Sequence, residues 1–523
     1  MAPLPGAPSS RRGISASSIR CLTATWRAHP PLLPGPARCA AFCALTRAPQ
    51  GVRGGAISVS NWPFTVARCT FRNNVAGAGG AIVNDVNFFA PSSGWSVLLP
   101  NGSTAPLAQP FFGAGYITDC VFANNTAQQA AGGQPGQCNS PSVNGCGLGG
   151  AVYGGFNGGA GQTTTLVTRC VFSGNVAANG GGAIIASGLA VFDSVFTGNS
   201  AGGVALASEA QYSGGAIQVA CVTSSIVSLS NVTFVNNTAL NGAGGGLNMF
   251  QFEDLLQHVL SLHDVSFVAN TAATDGGGLA LVGAGSSATG SFVCTGNVAR
   301  SGDGGCASLS SLPPIGAAFA GGAAFGANDA PHGAGGGVCT DGSGPVAFAA
   351  ASFDANSALA GGAVAVALPP SPPPQVYPVI VTGGSSFVGN AASFGAAFAL
   401  PFLSNATLRL LDVSSLSNNA ASVSGGVVFA SAPPPGAAPP PAAPSAAAAS
   451  TLPCGGTCAG FGKNSAPSGL LVSLPAYAFA PSRTAASARP GAALPPSASR
   501  SSTRPARPRC PPRRWSSPRC CSG

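Results

Sequence analysis

The strongest constraint in this chain is one short pattern, Phe-x-x-Asn-x-Ala, repeated along most of its length. It occurs at Phe71/Asn74/Ala76, Phe122/Asn125, Phe172/Asn175, Phe196/Asn199, Phe234/Asn237 and Phe267/Asn270. It continues at Phe325/Asn328, Phe353/Asn356 and Phe387/Asn390, while Cys294 and Leu416 replace the aromatic ahead of Asn297 and Asn419. The eleven units stand 24 to 51 residues apart, mostly near 30. A Gly-Gly pair and a small or aliphatic residue usually follow, as in Gly79-Gly80-Ala81-Ile82 and Gly361-Gly362-Ala363-Val364; Gly54-Gly55-Ala56-Ile57 precedes the first Phe.

Each element of the pattern has a physical reading. Runs such as VTRCVF and LSNVTF are β-branched and alternate, so they read as strands. Gly pairs let neighbouring backbone come close. A period near 30 is too short for a βαβ unit and suits one coil of a parallel β-solenoid. In such a coil each Phe stacks on the Phe of the next, and each Ala fits a narrow interior. An inward Asn is costly alone. Stacked in register, each amide donates to one neighbour and accepts from the other, as in cross-β ladders. The expected fold is all-β, a right-handed parallel β-helix over residues 51–430. Eleven coils at about 4.8 Å each give a rod about 50 Å long.

Composition narrows the alternatives. Charged residues are 7% of the chain, against about 25% in an ordinary globular protein, which excludes a charged helical bundle or coiled coil. The net charge of +9 comes from the ends: residues 1–72 and 481–523 each hold nine Arg and no acid. Residues 73–480 hold all thirteen acids with only Arg169, Arg300, Arg409 and Lys463, so this part repels phosphate backbones and no nucleic-acid partner is expected.

The flanks read differently from the centre. Residues 1–50 lack an apolar secretory h-region and read as disordered or transit-like. Residues 431–453 form a Pro/Ala-rich linker, and 454–523 a mostly disordered Arg/Pro/Ser-rich tail. No run of 18 apolar residues exists, so no transmembrane helix is expected. Within the repeats, residues 83–116 and 128–148 are insertions. QFEDLLQHVL at 251–260 carries the only helical turn pattern, and PPSPPPQVYP at 369–378 reads as polyproline. Cys138 and Cys146 flank one short loop and could form a disulfide. None of the seventeen cysteines joins a His at zinc spacing. Asn-x-Ser/Thr sequons occur at Asn101, Asn124, Asn231, Asn236 and Asn405, which in a secreted protein would be surface acceptors.

FxxN alternating with GGA(I/L/V) over residues 54–429 resembles the repeats of the chlamydial polymorphic outer membrane proteins. The resemblance implies a right-handed parallel β-helix displayed at the cell surface as an adhesin. Similar repeats occur in large β-helix proteins of green algae, and residues 371–374 look like the Pro-rich motifs of algal and plant wall glycoproteins, which implies an algal product. Both ends depart from the bacterial pattern. The residues after 429 do not form a membrane β-barrel and no signal peptide is evident, so autotransport is not expected.

The competing class is a carbohydrate-active enzyme, because pectin lyases and polygalacturonases share the parallel β-helix. A hydrolase needs two carboxylates facing one groove. Here the acids are scattered, and the only adjacent pair is Glu253-Asp254. His258, His263 and His332 have no partner at catalytic spacing. Asp275 and Asp303 precede Gly pairs in successive units and could hold calcium, but their registers differ by one, and exposed turn aspartates are the simpler reading. Cys69, Cys120 and Cys170, each two residues before a repeat Phe, read as stacked small hydrophobes. The expectation is an extracellular or surface β-helix in adhesion or a structural role, with no catalytic residue, metal or cofactor. Its partners would be cell-surface or wall glycans or proteins.

Overall fold

The computed structural model describes residues 37–39, 44–46, 54–60, 64–85, 96–98, 104–106, 115–128, 147–154, 164–202, 213–221, 226–251, 258–368, 376–401, 408–430, 461–462, 464–466 and 472–473. Among them there is no helix, and almost all strands run parallel in three sheets. One coil shows the pattern. Thr164–Thr168 and Val171–Ser173 lie in the first sheet, Val176–Ala177 in the second and Ile184–Ala186 in the third. Each pairs in register with the coils before and after it. The fold is a right-handed parallel β-helix.

Two backbone kinks bend each wall. In this coil they are Arg169 (φ 52°) and Gly174 (φ 61°), three residues before the Phe and one before the ladder Asn. Left-handed backbone favours Gly and Asn, which explains why Asn73, Asn124, Asn236 and Asn418 recur at the second kink. The Gly-Gly pair is needed for two reasons. Gly181 has φ 67°, and a Cβ on Gly182 would overlap the carbonyl oxygen of Gly215 in the next coil.

The interior is one continuous apolar core of Phe, Val, Ile, Leu and Ala. Among the described residues thirteen Phe side chains are essentially fully buried. At about 25 cal/mol per Å², each such ring contributes several kcal/mol of burial.

Gln251 and His258–Leu260 belong to the strands Leu247–Gln251 and His258–Val268, in register with their neighbours; residues 252–257, where the helical turn is expected, lie outside the described residues. Parallel pairing also runs past both ends of the 51–430 segment. Ala37–Cys39 and Ala44–Thr46 pair with the wall at Phe64 and Thr70. Phe461–Gly462 and Val472–Ser473 pair with Leu416 and Val428.

Candidate functional site

The asparagine corner is the most regular feature of the molecule. Asn125 donates from both its backbone N and Nδ2 to Asn175 Oδ1, at 3.0 and 2.9 Å. Its second Nδ2 hydrogen goes to the Phe71 carbonyl at 3.0 Å. Its Oδ1 accepts from the N and Nδ2 of Asn74 at 3.1 and 2.8 Å. The inter-coil bond repeats through Asn199, Asn237, Asn270, Asn297, Asn328, Asn356, Asn390 and Asn419. These amides are completely buried yet hydrogen-bonded on both sides, which removes the penalty for burying them.

The ladder ends on a residue that sequence reading assigned to the tail. Asn419 donates to Asn464 Oδ1 at 3.0 Å, and Asn464 Nδ2 donates to the Leu416 carbonyl. Phe461-Gly462-Lys463-Asn464-Ser465-Ala466 is a twelfth Phe-x-x-Asn-x-Ala. The signal was legible, but a long Pro/Ala stretch separates it from the eleventh.

Beside the ladder the Phe rings stack. Centroids from Phe71 through Phe122, Phe172, Phe196, Phe234 to Phe267 are 4.7 to 5.1 Å apart. Phe325, Phe353 and Phe387 continue at 4.5 and 4.8 Å. Between the two runs Cys294 takes the ring's place and bonds to Cys306 across the interior, with a Cα separation of 6.0 Å. Phe292 fills the space and touches both Phe267 and Phe325. Cys138 and Cys146, the expected pair, lie outside the described residues.

Cys69, Cys120 and Cys170 are buried, but they do more than fill space. Cys120 Sγ accepts the Cys69 N–H at 3.4 Å and donates to the Thr118 carbonyl at 3.1 Å. Ser194 does the same work one coil beyond Cys170, at 3.0 and 2.7 Å. These side chains satisfy backbone beside the first kink. The hydrogen bond with Cys170 raises the Cys120 thiol to about 11, so it stays protonated at neutral pH.

The outer face of the third sheet is also covered, because the turn before each Gly pair folds over it. Val83, Tyr153, Ile185 and Ala220 form an apolar strip with Ala78. Cys339, Ala365 and Ala399 form another with Ala334 and Ala360. Between them the strip is polar: Asn248 Nδ2 donates to Gln218 Oε1 and to Ser213 Oγ, at 3.0 and 3.1 Å. Asp275 and Asp303 follow on the next two coils. Asp275 Oδ1 accepts the Asp303 N–H at 2.8 Å, and Asp303 Oδ1 the Ala334 N–H at 2.7 Å. The two aspartates therefore share one register, contrary to the count from the Phe positions. The turn at 300–302 absorbs the extra residue. Each carboxylate clamps the next coil, and burial pushes Asp275 up to about 6. Among the described residues no group of three or more His, Cys, Asp or Glu could hold a metal ion.

The exterior charges are likewise engaged between coils. Arg169 grips Asp119 through Nε and Nη2 at 2.6 and 3.0 Å, which lowers the Asp119 carboxyl below its usual range. Asn231 donates to Asp193 and the Ser291 N–H to Asp264, whose other carboxylate oxygen lies 3.2 Å from its chain neighbour His263. His332 is exposed; Glu253 and Asp254 lie outside the described residues.

One corner never changes length. Two residues join the first sheet to the second in all eleven coils. The passage from third to first sheet varies from the single Ser187 to the whole stretch 86–114. The passage from second to third varies from 335–337 to 128–151.

Fold and ladder together define a parallel β-helix built from one sequence repeat. The family model of the Chlamydia polymorphic membrane protein repeat matches two of its units, residues 68–85 and 169–187. Each match begins at a first-kink Arg, crosses the Phe and ladder Asn, and ends at or one residue past the third-sheet strand. No curated protein and no solved structure matches the chain.

Proposed function

We propose that the chain is a surface-exposed or extracellular β-helix that acts in adhesion or as a structural element, without a dedicated active site. The observation that carries this reading is the contrast between corners. An invariant, fully hydrogen-bonded edge holds the coils, while the long insertions are placed at the other two. That is how a scaffold presents variable segments. The repeat match supports display at a surface. The Cys294–Cys306 disulfide fits an oxidising compartment.

Most of the described carboxylates are engaged between coils, which favours a scaffold over a carbohydrate-active enzyme. Asp119, Asp193, Asp264, Asp275, Asp303 and Asp341 each accept a hydrogen bond from a neighbouring coil. A glycosidase instead keeps a facing pair free for acid and base work.

The test is saturable binding of the purified full chain to intact cells, wall polymers and immobilised glycans, beside incubation with polyuronides. Binding without chain cleavage is expected for an adhesin. Absence of binding leaves the structural role, and polyuronide cleavage would overturn the reading in favour of an enzyme.

A further inference from the structure

Three of the five sequons fall on described residues, and the fold treats them alike. Asn124, Asn231 and Asn236 all have left-handed backbone, with φ 53°, 53° and 52°. All three are exposed, although their neighbours Asn125, Val232 and Asn237 are buried. A kink turns the side chain at its apex outward, away from both adjoining strands. Asn124 lies over Gly174, where a Cβ would come within 2.5 Å of Asn124 Oδ1, so the next coil leaves room for it.

We propose that Asn124, Asn231 and Asn236 carry N-linked oligosaccharides, a proposal that rests on the export reading above. The donor class is a polyprenyl-diphosphate-linked oligosaccharide. The Asn Nδ2 attacks the anomeric carbon; the C–N bond forms as the C–O bond to diphosphate breaks, and the amide proton leaves to the transferase base. Nδ2 keeps one hydrogen, so Asn231 can still donate to Asp193, now at 2.9 Å.

The columns supply internal controls. Asn73 and Asn418 occupy the same kink as Asn124 and Asn236, but Val75 and Ala420 stand where Thr126 and Thr238 supply the hydroxyl. They should remain unmodified. Val is also native in the columns of all three sequon threonines. Val176 is the register partner of Thr126, and Val195 of Thr233. Substitution of Thr126 or Thr238 by Val therefore removes the acceptor motif without disturbing the strand, and Thr233→Val gives up in addition only the hydrogen bond that Thr233 Oγ1 accepts from Ser266 Oγ.

The experiment isolates the full chain from the cells that make it, records the compartment, and treats it with peptide N-glycosidase in ¹⁸O water. Mass spectrometry should find ¹⁸O-labelled Asp at 124, 231 and 236, and unmodified Asn at 73 and 418. T126V, T233V and T238V should each lose one glycan step and migrate correspondingly faster on a gel. Exported protein with all three asparagines unlabelled overturns the glycan proposal and leaves the export reading standing. Unlabelled protein confined to the cytosol overturns both. A variant that loses no step strikes out its own acceptor.

Discussion

From Phe71 to Phe267 the interior holds one column of parallel rings, flanked at the first kink by Cys, Ser or Val. Beyond Cys294 a second aromatic pair, Phe319 and Phe348, stands beside Phe325 and Phe353 and meets them edge-on. Small residues compensate: Ala288 lies in the coil of Phe292, and Ala323 and Ala351 in the coils of Phe319 and Phe348. The walls change too. Second-sheet strands are two residues long through the coil of Cys294 and four to six in the coils beyond it, as in Asp329–Ala334 and Ala391–Phe394. Through all of this the asparagine ladder continues unaltered. The difference teaches that the repeat governs one corner and one wall, while the rest of the cross-section is filled by volume alone.

If the ladder is indifferent to the break, Asn237→Leu and Asn356→Leu should cost the same. Each orphans two buried donors on the preceding coil, the backbone N–H and the Nδ2 of its Asn, and a Phe carbonyl, at roughly 1–3 kcal/mol per group, or about 6 kcal/mol in all. Urea unfolding measures both, and unequal losses would break the comparison.

The disulfide sharpens it next. Cys294→Ala with Cys306→Ala opens a 12-residue loop and should lose about 3 kcal/mol. Cys294→Phe with Cys306→Ala should be no better, because Phe292 already occupies the space. Adding Phe292→Val should recover stability by rebuilding the coil in the style of Val265 and Phe267. Thermal unfolding of the three variants orders them.

Asp275 distinguishes the polar turn from its apolar counterpart at Ala334 and Ala360. Its pKa is raised on folding, so its contribution is fully present below pH 4 and is lost as pH rises through about 6. Asp275→Asn keeps the acceptor for Asp303 N–H. It should be more stable than the parent at pH 8 by about 2 kcal/mol, the full shift of about 3 being discounted for partial exposure, and equal to it at pH 4. Melting temperatures across that range test the crossing.

The smallest effect belongs to the first kink. Cys120→Ser should change stability by less than about 1 kcal/mol, because Ser194 already makes the same two bonds. A larger loss would mean that sulfur volume, not hydrogen bonding, matters there.

Much of this architecture was readable in the chain. The spacing from Phe71 to Asn74 places ring and amide on a strand and its corner, and eleven recurrences leave few folds able to use them. Asn464 carried the same signal behind a Pro-rich interval. Cys294–Cys306 carried none, since a 12-residue separation says nothing about which walls of a coil face each other. The shared register of Asp275 and Asp303 was hidden because a turn can absorb a residue that counting cannot.

Local sequence determined the period, the kinks and the stacking side chains, because a parallel in-register wall repeats whatever a single coil can satisfy. Tertiary structure alone decided which cysteines meet, how Phe292 replaces a missing ring, and which carboxylates hold backbone. Those choices depend on distances across the coil interior and over its outer face, which close only when the chain has wound back upon itself.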